Sequence, residues 1–250
     1  MNYFKPLFIF LLLSFGHTLS AQEETKKILF VGNSYTFFWN LPQTVNLLAK
    51  SQNIDLMTKQ STAGGANWGH HWKGERNLNT KEIIADGDFD IVVLQNHSLS
   101  TIDRPDSLMR YGQLLNDQIK QSGADTYLYM TWAREWDPYM IDTIKEKYTA
   151  LAEKINARLV PVGLAWNRAK ELRPDIQLYF PDGSHQSSLG TYLSACVFYG
   201  IITGKSPVGL PSNLVSEDKY GEKIYLQLQT SQDALFCQKV AEEIINEYID

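Results

Sequence analysis

Along most of the chain, short runs of apolar, β-favouring residues alternate with longer stretches of helical periodicity. That order belongs to parallel βαβ units rather than to a β-sandwich. The runs Lys27–Val31, Leu56–Gln60, Ile91–Gln95, Thr126–Met130 and Arg158–Val162 read as strands. Most are continuously apolar, as strands covered on both faces by helices tend to be. Helical patterns fall at Pro42–Ser51, Thr80–Ala85, Ser107–Gln121, Tyr139–Ala157, Ala165–Leu172, Ser188–Thr203 and Ser231–Tyr248. Five strands with interleaved helices predict an α/β chain in three layers, α/β/α, with right-handed crossovers placing helices on both faces of a parallel sheet. Open sheets of this kind bind ligands beyond the carboxyl ends of their strands, so candidate chemistry belongs just after each strand. Gly204–Tyr225 is polar and marked by Pro and Gly, and reads as an excursion before the last helix.

The N-terminus stands apart from this pattern. Lys5, an apolar run from Leu7 to Leu13, and small or polar residues leading to Ala21 follow the order of a secretory signal peptide. The run is short of the ~20 residues that span a bilayer, and no cysteine follows it to carry a lipid. Residues 1–21 are therefore expected to be cleaved, leaving 22–250 as a single domain without a membrane span, exported to the periplasm or beyond the cell. No repeat, low-complexity tract or linker suggests a second domain.

Composition narrows the function. The formal charge of the 250-residue chain is −5, and loss of Lys5 makes it more negative, so no basic field is available for a nucleic-acid backbone. Two cysteines and five histidines do not suggest a thiolate zinc site. Cys196 and Cys237 lie in apolar helical segments and read as buried thiols, with pairing left open by the oxidising destination. His70, His71 and His97 lack a carboxylate or Cys at ligand spacing, so no metal and no cofactor is expected.

After the first strand stands Gly32-Asn33-Ser34-Tyr35-Thr36, a serine in a tight turn at the sheet edge. Thr36 replaces the second glycine of G-x-S-x-G, so the α/β-hydrolase elbow is not matched, and no phosphate-binding glycine loop follows this strand. Far down the chain, Pro181-Asp182-Gly183-Ser184-His185-Gln186 puts an acid and an imidazole three residues apart in a polar loop. A hydroxyl becomes a useful nucleophile when an imidazole accepts its proton, and a carboxylate then orients the imidazole. Donors for a developing oxyanion could come from Ala63-Gly64-Gly65-Ala66 after the second strand and from Gln95-Asn96-His97-Ser98 after the third.

In these blocks and in this order the chain resembles the SGNH (GDSL-type) hydrolases, over about residues 27 to 204. The resemblance implies a flavodoxin-like five-stranded sheet. It also implies Ser34 as nucleophile, His185 as base and then acid, Asp182 as its partner, and an oxyanion hole of the Ser34 N–H, Gly65 and Asn96. Two blocks depart from the family pattern: G-N-S stands for G-D-S, and L-Q-N-H for G-x-N-D, so that Gln95 is an alternative donor to Asn96. The implied activity is that of an exported serine esterase removing a small acyl group, such as acetyl, from a carbohydrate or similar polar molecule. A lipase or lysophospholipase, or a glycan-binding protein without catalysis on the same fold, are the other readings. All six tryptophans follow predicted strands. With Tyr35, they suggest an aromatic substrate wall that includes Trp39, Trp68 and Trp132. The sequence is silent on oligomeric state.

Overall fold

The computed structural model describes Met1 and residues 25–248; the signal segment expected over 1–21 otherwise lies outside them. Five strands, β1 (Lys26–Gly32), β2 (Leu56–Thr62), β3 (Ile91–Leu94), β4 (Asp125–Tyr129) and β5 (Arg158–Val160), form one parallel sheet in the order β2-β1-β3-β4-β5. This is the three-layer α/β/α arrangement expected from the alternating pattern. The strand order reverses between β1 and β3, and the carboxyl ends of those two neighbours define the crevice where such sheets bind ligands.

Alternate residues of the strands feed two cores. Ile28, Phe30, Ile91, Val93, Tyr127 and Tyr129 point to one face, and Leu29, Val31, Val92, Leu94 and Leu128 to the other. The handedness of the crossovers decides which helices cover which face. The step from β1 to β2 runs in one direction along the sheet and carries α1 (Ser34–Phe37) and α2 (Leu41–Lys50). Later steps run the other way and carry α3 (Trp68–Lys73), α4 (Thr80–Asp86), α5 (Ser100–Asp103), α6 (Pro105–Gln121) and α7 (Met140–Ile155). After β5 the chain returns to the first face with α8 (Val162–Leu172), α9 (Ser188–Thr203) and α10 (Ser231–Asn246). Helix α9 is apolar around its whole circumference and buried from Gly190 to Ile202, as expected of a helix enclosed by α2, α8, α10 and the sheet.

Some expectations needed correction. Helices α1, α3 and α5 are too short for periodicity to reveal. The segment read as a polar excursion instead enters an antiparallel hairpin, β6 (Asn213–Glu217) and β7 (Lys223–Leu228). β2 is less apolar than the other strands because it is an edge strand, with Met57, Lys59 and Gln60 exposed or nearly so. β5 ends at Val160 because Val162 already begins α8. Cys196 and Cys237 are both buried and both free. No helix among the described residues is long and apolar enough to cross a membrane.

Candidate active site

The turn after β1 is tightened by a glycine that has no room for a side chain. A Cβ on Gly32 would fall 2.4 Å from Thr36 Oγ1 and 2.5 Å from Gln95 Oε1. Asn33 then caps α1, its side-chain oxygen accepting from Tyr35 N at 3.0 Å. This leaves Ser34 as the first residue of the helix, at the sheet edge. The Asn33 amide also donates to Ala66 O at 2.8 Å, binding the loop after β2 to the nucleophile turn. An aspartate in the carboxylate form could not make that bond, which gives the G-N-S departure a physical role. Gln95 accepts from Asn33 N at 2.8 Å and from Thr36 Oγ1 at 3.1 Å, and donates to Asn96 O. Its amide is therefore committed to the scaffold.

Across the crevice, the loop before α9 brings the D-x-x-H residues to Ser34. His185 Nε2 lies 2.9 Å from Ser34 Oγ, and His185 Nδ1 lies 2.5 Å from Asp182 Oδ2. A carboxylate next to Nδ1 favours the tautomer that donates from Nδ1 and leaves Nε2 to accept the serine proton. The other Asp182 oxygen accepts from the N–H groups of Ser184 and His185 at 3.0 and 2.9 Å. Desolvation pushes the Asp182 carboxyl up, but the bonds from the His185 ring and from these two N–H groups outweigh it and hold the carboxyl below its ordinary range.

The loop is shaped by a stack of aromatic rings. Trp132 lies parallel between Tyr35, at 4.6 Å, and Trp166, at 3.9 Å, and donates from Nε1 to Ser184 O at 3.0 Å. Tyr35 Oη and Ser184 Oγ share a hydrogen bond of 2.8 Å, and the Phe38 ring stacks on His185 at 4.7 Å. Gln186 donates to Tyr35 O at 3.1 Å, tying the loop to α1.

Three donors near Ser34 have no acceptor among the described residues. They are the N–H of Ser34, at the first helical position, the N–H of Gly65, and the side-chain amide of Asn96. Gly65 adopts a left-handed φ of +62° and lines the Ser34 cavity. Asn96 Oδ1 accepts from Trp68 N at 3.0 Å and His97 N at 2.8 Å, which orients the amide and leaves Nδ2 unspent. Of the two amides that the sequence leaves open as donors, Asn96 Nδ2 makes no hydrogen bond among the described residues, whereas Gln95 Nε2 already donates to Asn96 O.

The cavity at Ser34 has a volume of about 190 Å³ and is bounded by Asn33, Tyr35, Gly65, Ser98, Arg134 and His185, among others. The expected aromatic wall is only partly there. Trp68 and Trp132 are each 1% exposed and belong to the core, because their indoles fill the space between helices and sheet. They are corrected from substrate wall to packing. Tyr35 does line the cavity, while Trp39 is 46% exposed and donates to Gln186 O at 3.1 Å. Arg134, which the sequence reading passed over, stands in the cavity wall and donates to Ser98 Oγ at 2.7 Å. Its position after β4 was the available signal.

His71 is fully buried. It bridges Thr80 Oγ1, at 2.7 Å, and the carbonyl of Gly32, at 3.1 Å. The carbonyl can only accept, so Nε2 carries the proton and Nδ1 accepts from Thr80. Burial lowers the pKa of this imidazole to about 4, against a weaker opposing contribution from the Gly32 bond. No cluster of three or more His, Cys, Asp or Glu side chains among the described residues is arranged to hold a metal.

No protein-family model matches the chain, and no curated protein matches it in sequence. Solved structures do match in fold, and proteins described as SGNH or GDSL-like hydrolases are among them. A DUF4886 family protein from Bacteroides uniformis superposes with a TM-score of 0.73 at 19% identity, over 89% of this chain and 95% of that one. A protein described as a candidate SGNH hydrolase, from Slackia heliotrinireducens, has a TM-score of 0.59 at 24% identity, over 71% of this chain and 99% of its own. The acetyl xylan esterase AlAXEase has a TM-score of 0.59 at 13% identity, covering 70% of this chain and 99% of that chain.

Proposed function

We propose that the chain is an exported serine esterase that removes a small acyl group, acetyl in the simplest case, from a saccharide or similar polar molecule. The observation that carries the reading is the unbroken relay from Asp182 through His185 to Ser34, with contacts of 2.5 and 2.9 Å. Ser34 Oγ attacks the ester carbonyl as His185 Nε2 takes its proton, and Asp182 holds the imidazole and stabilises its positive charge. The carbonyl oxygen becomes an oxyanion facing the Ser34 N–H, the Gly65 N–H and Asn96 Nδ2. Donors in such positions are worth roughly 3 kcal/mol each where they have been removed from other enzymes. His185 returns the proton to the leaving alcohol, water attacks the acyl-serine with His185 again as base, and the free enzyme is restored.

Cavity size supports a small acyl group: about 190 Å³, lined by Tyr35 as well as Asn33, Ser98, Arg134 and Ser184, is little room for a long alkyl chain. Export is supported by the signal-like order of residues 1–21, and a saccharide substrate by the likeness to an acetyl xylan esterase. Hydrolysis of 4-nitrophenyl acetate by residues 22–250 tests the mechanism. Ser34→Ala and His185→Ala should each lower kcat by roughly 10³-fold or more, and full activity in either variant rejects it. Stoichiometric fluorophosphonate labelling at Ser34 is expected; saccharide binding without labelling would favour the non-catalytic binder.

A further inference from the structure

The Ser34 cavity lies beside a second hollow of about 340 Å³, and Gly65 and His97 line both. The walls of these adjoining hollows, together a trough, carry three guanidinium groups, Arg76, Arg104 and Arg134, against one carboxylate, Asp103. This local excess runs against a chain whose formal charge is −5. Among the described residues none of the three arginines has an ion-pair partner. Their side-chain hydrogen bonds go to neutral groups, Arg134 to Ser98 Oγ and Arg76 to Gly64 O at 2.5 Å. The nearby Glu75 faces His70 and Lys73 instead, at 3.5 and 3.7 Å. Arg134 is held in place by the Ser98 bond and by the faces of Tyr35 and Trp136, 5.8 and 5.7 Å from its guanidinium.

Two histidines of the trough, His70 and His97, respond to this field. His97 is pushed below its usual range by burial and then by Arg134 and Arg104, with Asp103 opposing. His70 is lowered by burial and then by Arg76, with Glu75 opposing. An unpaired guanidinium is a planar fork of donors matched to carboxylate and sulfate oxygens. Three of them along one trough, beside a nucleophile, make an anion-recognition surface that a neutral ester would leave unused.

We propose that this trough is an anion-binding subsite and that the natural substrate is an acylated acidic saccharide. Arg134 receives the carboxylate or sulfate nearest the ester, and Arg76 and Arg104 receive the charge of a neighbouring sugar unit. The inference rests on the esterase reading for the position of the ester, but the anion site can be measured without turnover.

Calorimetric titration of the Ser34→Ala protein with trigalacturonate, a sulfated trisaccharide and xylotriose separates recognition from catalysis. At least one acidic probe should bind roughly tenfold or more tighter than xylotriose, with an affinity that falls as salt rises. The Arg76→Gln/Arg104→Gln pair should remove most of that preference, and Arg110→Gln, an exposed arginine outside the trough, should leave it intact. The preferred acidic probe identifies the anion as carboxylate or sulfate. Xylotriose binding as tightly as both acidic probes, or a preference unmoved by the double substitution, overturns the proposal. In wild type, the ratio of kcat/KM on an acetylated polysaccharide carrying the preferred anion to that on acetylated xylan should exceed one and collapse in the double variant. Acidic-saccharide binding by a protein inert to every ester would reject the esterase reading while upholding the anion subsite.

Discussion

Ser34 and His185 stand 2.9 Å apart but rest on two regions of opposite construction. The serine side is a buried polar lattice. Asn33, Gln95 and Asn96 are at most 3% exposed and bind one another's backbone and side chains, so the turn is tied to β1, β3 and the loop after β2. The histidine side is a partly exposed loop, with the Asp182 side chain 42% exposed. It is positioned mainly by ring stacking beneath it and by a few bonds from Trp132, Tyr35 and Gln186. A buried hydrogen-bond lattice is costly to leave half-satisfied, whereas a solvated loop can lose a polar contact and let water replace it. Damage to the serine side should therefore register in stability, and damage to the histidine side in catalysis.

The strongest test of that contrast is Asp182→Asn. The amide oxygen can still accept from Ser184 and His185 N–H, so the loop keeps its shape, but the amide nitrogen faces His185 Nδ1 and favours the wrong tautomer. The expected result is a fall in kcat on 4-nitrophenyl acetate of about 10³- to 10⁴-fold, as for the equivalent change in a protease triad. Stability should shift by only about 0.5 kcal/mol. A large loss of stability with little loss of rate would invert the comparison.

Next in size is the pH response of His71, which braces the serine side through Gly32 O. Its folded pKa, about 4, lies below the ordinary value of 6.5. Between those values the unfolded chain holds a proton that the folded chain does not, so stability is retained above the upper value and declines as pH falls through this window. The ceiling is about 3 kcal/mol. His71 should stay neutral by NMR at pH 5, and titration of its ring near 6.5 would show that the brace does not exclude the proton. The smallest expected effect is that of Gln95→Ala, which strands Asn33 N–H and Thr36 Oγ1 and should cost about 1–3 kcal/mol in urea denaturation. An unchanged midpoint would remove Gln95 from the lattice.

The strands and long helices were legible because burial on two faces forces continuous apolar runs and because a helix exposed on one side shows its period. Helices α1, α3 and α5 span six residues or fewer and have no period to show. The β6–β7 hairpin is largely exposed, so few of its residues are constrained to be apolar. In the site, Ser34, Asp182 and His185 could be named from their local blocks, because their spacing and neighbours mark the chemistry. The tryptophans could not be sorted by position in the chain. Trp68 and Trp132 follow strands as Trp39 and Trp136 do, yet the first two are core and the others are exposed.

By itself the sequence determined the layer architecture, the sheet-edge location of the chemistry and the identity of the acid, base and nucleophile candidates, since each depends on residue type and local spacing. Only the tertiary structure decided which amide is spent and which is free, that His71 is a buried brace, and that three unpaired arginines share one trough. Those properties come from groups distant in the chain meeting in space, where the bonds already made determine which donors, charges and protons remain available.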